Sequence, residues 1–133
     1  MIVDSSVLIA VLTNETDGPA LARVLDRASV LQISAATYLE TFAVIDKYRD
    51  PVLSAGLDDL LLDLEVAIEP VTAEQACIAR QAYRDFGRGS GHKANLNFGD
   101  CFAYALARVR REPLLYKGDD FIHTDIRSAM QQP

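Results

Sequence analysis

The chain has 133 residues, half of them hydrophobic, and a formal net charge of −6. This length suits one domain with a single core, and no apolar run approaches the ~20 residues that span a bilayer. No basic segment followed by an apolar one opens the chain as a secretion signal would. We therefore predict a single domain over residues 1–133 that is cytoplasmic and has no membrane contact. Cys77 and Cys101 both lie in apolar helical patterns, which favours reduced, buried thiols.

Short apolar runs alternate with helical patterns along the chain. The runs predict strands at 2–4, 30–34, 66–68 and 114–116, with a final short strand or turn at 121–126. Helical spacing of apolar residues predicts helices capped by Ser5 and Ser6, at 20–28, at 37–49, from Pro51 to about 64, from the cap Thr72 to about 86, and at 99–111. This alternation predicts an α/β fold whose mostly parallel central sheet has helices on both faces. The C-terminal tail is expected to be loose.

Acidic residues stand beside apolar sequence at four points. Asp4 ends the first strand, Glu40 lies in the third helix, Asp100 begins the last helix, and Asp119-Asp120 follow the last long strand. Ligands of open α/β sheets bind beyond the carboxyl ends of the strands, so these acids are expected to converge on one edge. Clustered, buried carboxylates are costly, and a divalent cation commonly offsets that cost. The pattern therefore predicts a metal site.

Each acid also has an ordinary structural interpretation. Asp4 is a suitable helix N-cap, and Asp100 sits where the helix dipole favours a carboxylate. Glu40 could close a capping box with Thr37, and the acid pair after the last strand could form a solvated turn. Only their joint placement in one α/β chain favours a functional site.

Four blocks of the sequence resemble PIN-domain ribonucleases, specifically toxins of the VapC type. They are Ile-Val-Asp-Ser-Ser at the start, Ala-Thr-Tyr-Leu-Glu-Thr, Leu-Asn-Phe-Gly-Asp-Cys-Phe-Ala-Tyr-Ala-Leu-Ala, and Leu-Leu-Tyr-Lys-Gly-Asp-Asp-Phe followed by Thr-Asp-Ile. Order, spacing and total length match, so the resemblance covers essentially the whole chain. It implies a PIN-like three-layer sandwich and an endoribonuclease that uses Mg²⁺ or Mn²⁺. It also implies a toxin that cleaves structured RNA such as tRNA or rRNA, a cognate antitoxin, and a homodimer.

Carried over residue by residue, the resemblance assigns the catalytic acids and one supporting residue. The acids are Asp4, Glu40, Asp100 and Asp120, with Asp119 as the neighbour that could replace or assist Asp120. Asp4 and Asp100 are the best direct metal ligands, because short side chains on the ends of rigid elements fix geometry. Glu40 and the last acid could hold metal-bound waters or a second ion. Ser6 matches a position that supports the site through hydrogen bonds.

A basic segment offers a surface for RNA. From 78 to 117 the chain has eight Lys and Arg residues against three Asp and Glu residues. The candidate RNA-binding residues are Arg80, Arg84 and Arg88, which recur every four residues, and His92 and Lys93 in the following loop. Guanidinium groups bind phosphate whatever the base, so this stripe predicts contact with the RNA backbone. A solvated helix face is the ordinary interpretation.

Other functions fit the pattern less well. A haloacid-dehalogenase-type phosphatase needs a second Asp where Ser6 stands, and a receiver domain needs a phosphoacceptor Asp where the third strand ends in Glu69-Pro70. A non-catalytic module that binds RNA or protein on the same fold is the alternative function. The helices at 20–28 and 37–68 are richer in Leu, Val and Ile than one small core needs, which also predicts a partner surface.

Overall fold

The computed structural model describes residues 1–131, in which short strands alternate with helices. The strands are β1 (Ile2–Val3), β2 (Gln32–Ser34), β3 (Ala67–Glu69) and β4 (Leu114–Leu115). The helices are α1 (Ser5–Leu12), α2 (Gly18–Arg27), α3 (Ala35–Asp46), α4 (Pro51–Asp63), α5 (Ala73–Phe86) and α6 (Asp100–Arg110), with a 3₁₀ turn at Ala129–Gln131. No helix in this part of the chain is long and apolar enough to cross a membrane.

The four described strands form one sheet in the order β3-β2-β1-β4, and every pairing is parallel. Ile2 of β1 lies opposite both Gln32 and Leu114, so β1 is held from two sides. Parallel neighbours require long crossover connections, which the intervening helices supply. The predicted α/β fold with a parallel central sheet is confirmed. Because the strands are parallel, the residues that follow them share one edge of the sheet.

Helices cover both faces of the sheet, because successive strand residues point to opposite sides. Ile2 and Leu114 belong to a buried cluster with residues of α5 and α6. Val3 and Leu115 belong to a second cluster with residues of α1 to α4. All four side chains are completely buried. These two cores make the predicted three-layer sandwich and hold the strand ends rigidly.

The start of α1 is set by Asp4 and not by the two serines that were predicted to cap it. The Asp4 carboxylate accepts a hydrogen bond from the Ser6 backbone N–H, so Ser5 and Ser6 are the first two helical residues. Asp4 is therefore the only residue between β1 and α1, which places its side chain at the edge of the sheet.

The start of α3 lies two residues before the predicted position. Ser34 ends β2 and caps the helix, with its hydroxyl oxygen accepting from the Ala36 N–H at 3.3 Å. Glu40 consequently lies in the second turn of α3, and the alternative interpretation, a capping box with Thr37, is wrong. The predicted roles of Pro51 in a first turn and Thr72 as a cap are confirmed.

Two further predictions concern surface features. Cys101 is buried but Cys77 is exposed on α5, so the prediction of a buried pair is wrong for Cys77; both are free thiols. The predicted loose tail includes residues 132–133, which lie outside the described residues.

Candidate active site

Asp4 stands at the carboxyl end of the central strand and is almost completely buried, with 4% of its surface exposed. Its Oδ2 accepts hydrogen bonds from the Ser6 backbone N–H at 3.1 Å and from the Ser6 hydroxyl at 2.5 Å. The Ser6 oxygen accepts in turn from the backbone N–H of Lys117 at 3.0 Å. Ser6 thus holds the first carboxylate in one orientation and ties it to the segment that follows β4.

Asp100 is the first residue of α6 and is 9% exposed. Its Oδ2 accepts from the Asn97 backbone N–H, and its own N–H donates to Oδ1 of Asn97, both at 2.8 Å. This reciprocal pair is the bonding pattern of a capping box. It locks the second carboxylate to the polar loop before α6.

Glu40 reaches the site from α3, and its carboxylate lies against the backbone of Gly99. A Cβ at position 99 would stand 2.7 Å from Cδ of Glu40, which is closer than non-bonded atoms approach. The absence of a side chain at Gly99 therefore makes room for Glu40 beside Asp100.

The two acids after β4 lie in an exposed turn. Phe121 follows them and is buried, with its ring 5.1 Å from that of Tyr116. Lys117 precedes them and forms ion pairs with Glu15 and with Asp17, the latter at 2.9 Å. The turn is therefore fixed at both ends. Asp120 is the member of the pair whose charge raises the pKa of both Asp4 and Asp100.

The acids destabilise one another's charged forms. Burial raises the pKa of Asp4, against the hydrogen bonds from Ser6 that lower it. Burial raises the pKa of Asp100 to about 7, with further contributions from Asp4, Asp120 and Glu40. Burial and the charge of Asp4 also raise the pKa of Glu40. Among the described residues, no Lys or Arg forms an ion pair with Asp4, Glu40 or Asp100. Their negative charge is therefore uncompensated within this part of the chain.

Comparison with known proteins identifies the family. Residues 1–127 match the family model of the PIN domain. The chain is a PIN-domain protein. Ribonuclease VapC28 of Mycobacterium tuberculosis is 56% identical over 132 residues, which are 99% of each chain. This PIN-domain chain therefore belongs with the VapC ribonucleases.

Solved structures share the fold of this PIN domain. VapC20 of Mycobacterium tuberculosis, described as a sarcin-ricin-loop-cleaving toxin, superposes with a TM-score of 0.70 at 18% identity, covering 95% of this chain and 98% of that one. A toxin-antitoxin complex from Klebsiella pneumoniae gives a TM-score of 0.68 at 16% identity, covering 93% and 92%. The resemblance predicted from the four sequence blocks is confirmed, and with it the toxin endoribonuclease interpretation. PIN-domain nucleases of the VapC type are generally dependent on a divalent metal.

The donor set of this PIN domain fits a hard divalent cation. The converging side chains offer only carboxylate oxygens, two of them are buried, and no basic side chain in residues 1–131 is paired with Asp4, Glu40 or Asp100. No group of three or more His, Cys, Asp or Glu residues in the described range stands ready to hold an ion by itself. Mg²⁺ usually takes one or two carboxylates and completes its shell with waters and phosphate oxygens. Two carboxylates, such as those of Asp4 and Asp100, would meet that requirement.

The predicted RNA-binding residues of the PIN domain are exposed, but they do not all lie on one helix. Arg80 and Arg84 lie on α5, whereas Arg88 follows the end of that helix and is not part of a helical stripe. Lys93 is exposed in the loop. The Nδ1 of His92 accepts from the Ala94 N–H at 3.1 Å, and the His92 ring packs edge-on against Phe86. His92 therefore also shapes its own loop.

Sequence reasoning missed two residues that shape the site of this PIN domain. Asn97 anchors the Asp100 carboxylate, and its spacing of three residues from an acid at a helix start is a recognisable capping signal. Gly99 accommodates Glu40 through a contact between two helices, for which the sequence carries no local signal.

Proposed function

We propose that this PIN-domain protein hydrolyses phosphodiester bonds of structured RNA at the site formed by Asp4, Glu40, Asp100 and Asp120, with Mg²⁺ or Mn²⁺ as the cofactor. The observation that carries the proposal is the group of three acids, Asp4, Glu40 and Asp100, which lie at one edge of the sheet and have pKa values raised by burial and by nearby carboxylates. None of the three is ion-paired with a basic side chain in the described chain. A bound cation stabilises the charged form of such a cluster.

Asp4 and Asp100 would hold the cation, because both are buried and each is fixed by hydrogen bonds to neighbouring residues. When bound, the metal supplies an activated water and offsets the charge of the scissile phosphate. Ser6 holds the Asp4 carboxylate in one orientation through hydrogen bonds, and Asn97 does the same for Asp100. Glu40 and Asp120 would orient water by accepting hydrogen bonds from it. Asp119 lies next to Asp120 in the exposed turn and would assist it.

The basic residues would hold the RNA backbone. Arg80 and Arg84 are exposed and form no ion pair with a carboxylate of the described chain. Arg88, His92 and Lys93 extend the same basic segment and would add phosphate contacts. Phosphate contacts of this kind bind RNA of any sequence and weaken as salt rises. They explain how a chain with a net charge of −6 can hold a polyanion.

The proposed protein partners are a cognate antitoxin and a second copy of the chain. Large apolar side chains of α3 and α4 are exposed, namely Leu39, Val52 and Leu62. Exposed apolar surface of this kind is typical of protein interfaces. The toxin–antitoxin complex that shares this fold supports an antitoxin as one such partner.

The test is cleavage by the purified chain, freed of any inhibitor, of total tRNA and of a hairpin with the sarcin-ricin sequence. Cleavage is expected with Mg²⁺ or Mn²⁺, and no cleavage is expected in EDTA. The variants Asp4→Asn and Asp100→Asn should each lower the cleavage rate by at least ~100-fold. Asp58→Asn, an exposed acid on α4, is the matched control and retains activity.

Two results would count against this function. Cleavage that persists in EDTA or in both Asn variants removes the metal mechanism. If the chain binds RNA but cleaves it with none of the metals added, the result favours the non-catalytic binding module.

A further inference from the structure

A groove of mostly apolar lining runs between α5 and α6 beside the acidic site. Its volume is about 510 Å³, and it is lined by Ala76, Ala79, Arg80, Tyr83, Arg84, Phe98, Cys101 and Phe102. No Asp or Glu lines it, and neither arginine forms an ion pair within the described residues. The groove thus combines aromatic surface with uncompensated positive charge.

Phe98 and Phe102 line both this groove and a smaller one of about 280 Å³ that extends to Glu40. The smaller groove lies between α3 and α6 and includes Glu40, Gly99 and Leu39. Phe98 is 76% exposed, yet its ring is held edge-on to Phe102 with centroids 5.0 Å apart. Phe98 therefore presents an aromatic surface to solvent two residues before Asp100.

We propose that Phe98 stacks on one base of the RNA substrate next to the scissile phosphate, with Tyr83 as a second aromatic surface and with Arg80 and Arg84 holding the adjoining phosphates. Every base has a π-face, so such a platform accepts single-stranded nucleotides of any sequence, and flanking guanidinium groups bind the backbone. The charge of the groove favours a polyanion as its occupant. The assignment of RNA as the occupant of this groove rests on the proposed function.

The test measures binding of two labelled strands by fluorescence anisotropy in EDTA, so that cleavage plays no part. One strand is a twelve-nucleotide oligoadenylate, and the other is a ribose-phosphate strand of the same length without bases. Phe98→Leu is expected to weaken binding of the oligoadenylate by about tenfold and to leave binding of the abasic strand unchanged, since only the stacking partner is lost. Phe98→Trp keeps the π-face and is expected to preserve the preference for the strand with bases. Tyr48→Leu replaces an aromatic residue of similar exposure outside both grooves and is expected to change neither affinity.

Equal binding of the oligoadenylate by Phe98→Leu and the unchanged chain would overturn the proposal, and so would an equal loss on both strands. A dimer that dissociates on Phe98→Leu, measured by sedimentation with no change in RNA affinity, would assign the groove to a second copy and also overturn it. Because no cleavage is measured, each of these failures leaves the nuclease proposal intact. Conversely, a base-dependent loss in Phe98→Leu stands even if the Asp100→Asn experiment removes the metal mechanism.

Discussion

The carboxylate of Glu40 occupies the space that a side chain at Gly99 would fill, and Gly99 immediately precedes Asp100 and α6. An ideal Cβ at position 99 would stand 2.7 Å from Cδ of Glu40. This contact joins the second turn of α3 to the start of α6, and so it brings together two acids that are far apart in the sequence.

Gly99→Ala is expected to displace Glu40 and to lower the rate of RNA cleavage by about 10- to 100-fold, because small displacements at a reacting centre are costly. The fold should tolerate the change, since Gly99 has an ordinary helical conformation with φ −64. Steady-state cleavage with Mg²⁺, together with thermal unfolding, checks both statements.

Gly56→Ala is the matched control. Gly56 lies within α4, and a Cβ there would meet only the flexible end of the Leu12 side chain of α1, at 3.1 Å. It should leave cleavage unchanged. Equal rates for the two alanine variants would show that the position of Glu40 has no bearing on the chemistry.

The metal-free protein should lose stability as pH rises from about 4 to about 7. The pKa of the Asp100 carboxyl is about 7 in the folded chain, against the ordinary value of 3.8 that applies once the chain is unfolded. The folded state therefore binds more protons in this window, and the free energy of unfolding falls as pH rises through it. The raised pKa values of Asp4 and Glu40 act in the same direction.

Asp100→Asn should flatten this dependence and raise the stability of the metal-free protein at pH 8 by about 1–2 kcal/mol. Urea unfolding in EDTA at pH 4.5, 6 and 8 measures both effects. Added Mg²⁺ should stabilise the unchanged protein at pH 8, because it binds only the folded state. If the free energy of unfolding of the unchanged, metal-free protein stays level or rises between pH 4 and 7, the buried and mutually repelling carboxylates described above are contradicted.

Ser6→Ala removes the hydroxyl that joins Asp4 to the backbone N–H of Lys117. A buried donor left without a partner costs about 1–3 kcal/mol, so the free energy of unfolding should fall by that amount. The Asp4 carboxylate also loses its shortest hydrogen bond, and about 10- to 100-fold more Mg²⁺ should be needed for half-maximal cleavage.

The comparison for this variant is Ser54→Ala, which removes a surface hydrogen bond of 2.6 Å to Asp46. Its effect on stability should stay within about 0.5 kcal/mol, and its Mg²⁺ dependence should not change. An identical Mg²⁺ dependence in the two variants would show that Ser6 does not support Mg²⁺ binding through Asp4.

The salt dependence of RNA binding should show whether α5 contacts the phosphates of the RNA. In the double variant Arg80→Gln, Arg84→Gln, the slope of log K against log salt for single-stranded RNA should decrease by about 1.4, at about 0.7 for each lost phosphate contact. Arg23→Gln on α2, which also changes an exposed arginine, is the control and should leave the slope unchanged. Anisotropy titrations at several KCl concentrations in EDTA give the slopes, and parallel lines for all three proteins would exclude α5 from the RNA surface.

The amino-acid sequence by itself was enough for the layered α/β fold and for the acids at the ends of strands. Apolar periodicity and helix-start signals are local, so the alternation of elements can be inferred from neighbouring residues, as Pro51 in the first turn of α4 and the cap Thr72 of α5 show. The family followed from four short blocks whose order and spacing survive in the linear chain. Local signals were insufficient where neighbouring residues could each cap the same helix. Asp4, and not the serines that follow it, caps α1.

Only the tertiary structure decided which side chains meet. The contact of Glu40 with Gly99, the bridge from Ser6 to Lys117 and the influence of Asp120 on Asp4 all join residues that no periodicity relates. These relationships depend on the parallel order of β1 and β4 and on the packing of α3 against α6, which arise from burial of the whole core. Sequence patterns place carboxylates at the ends of elements, whereas their mutual repulsion, and hence the need for a cation, exists only once the folded core has brought those ends to one edge.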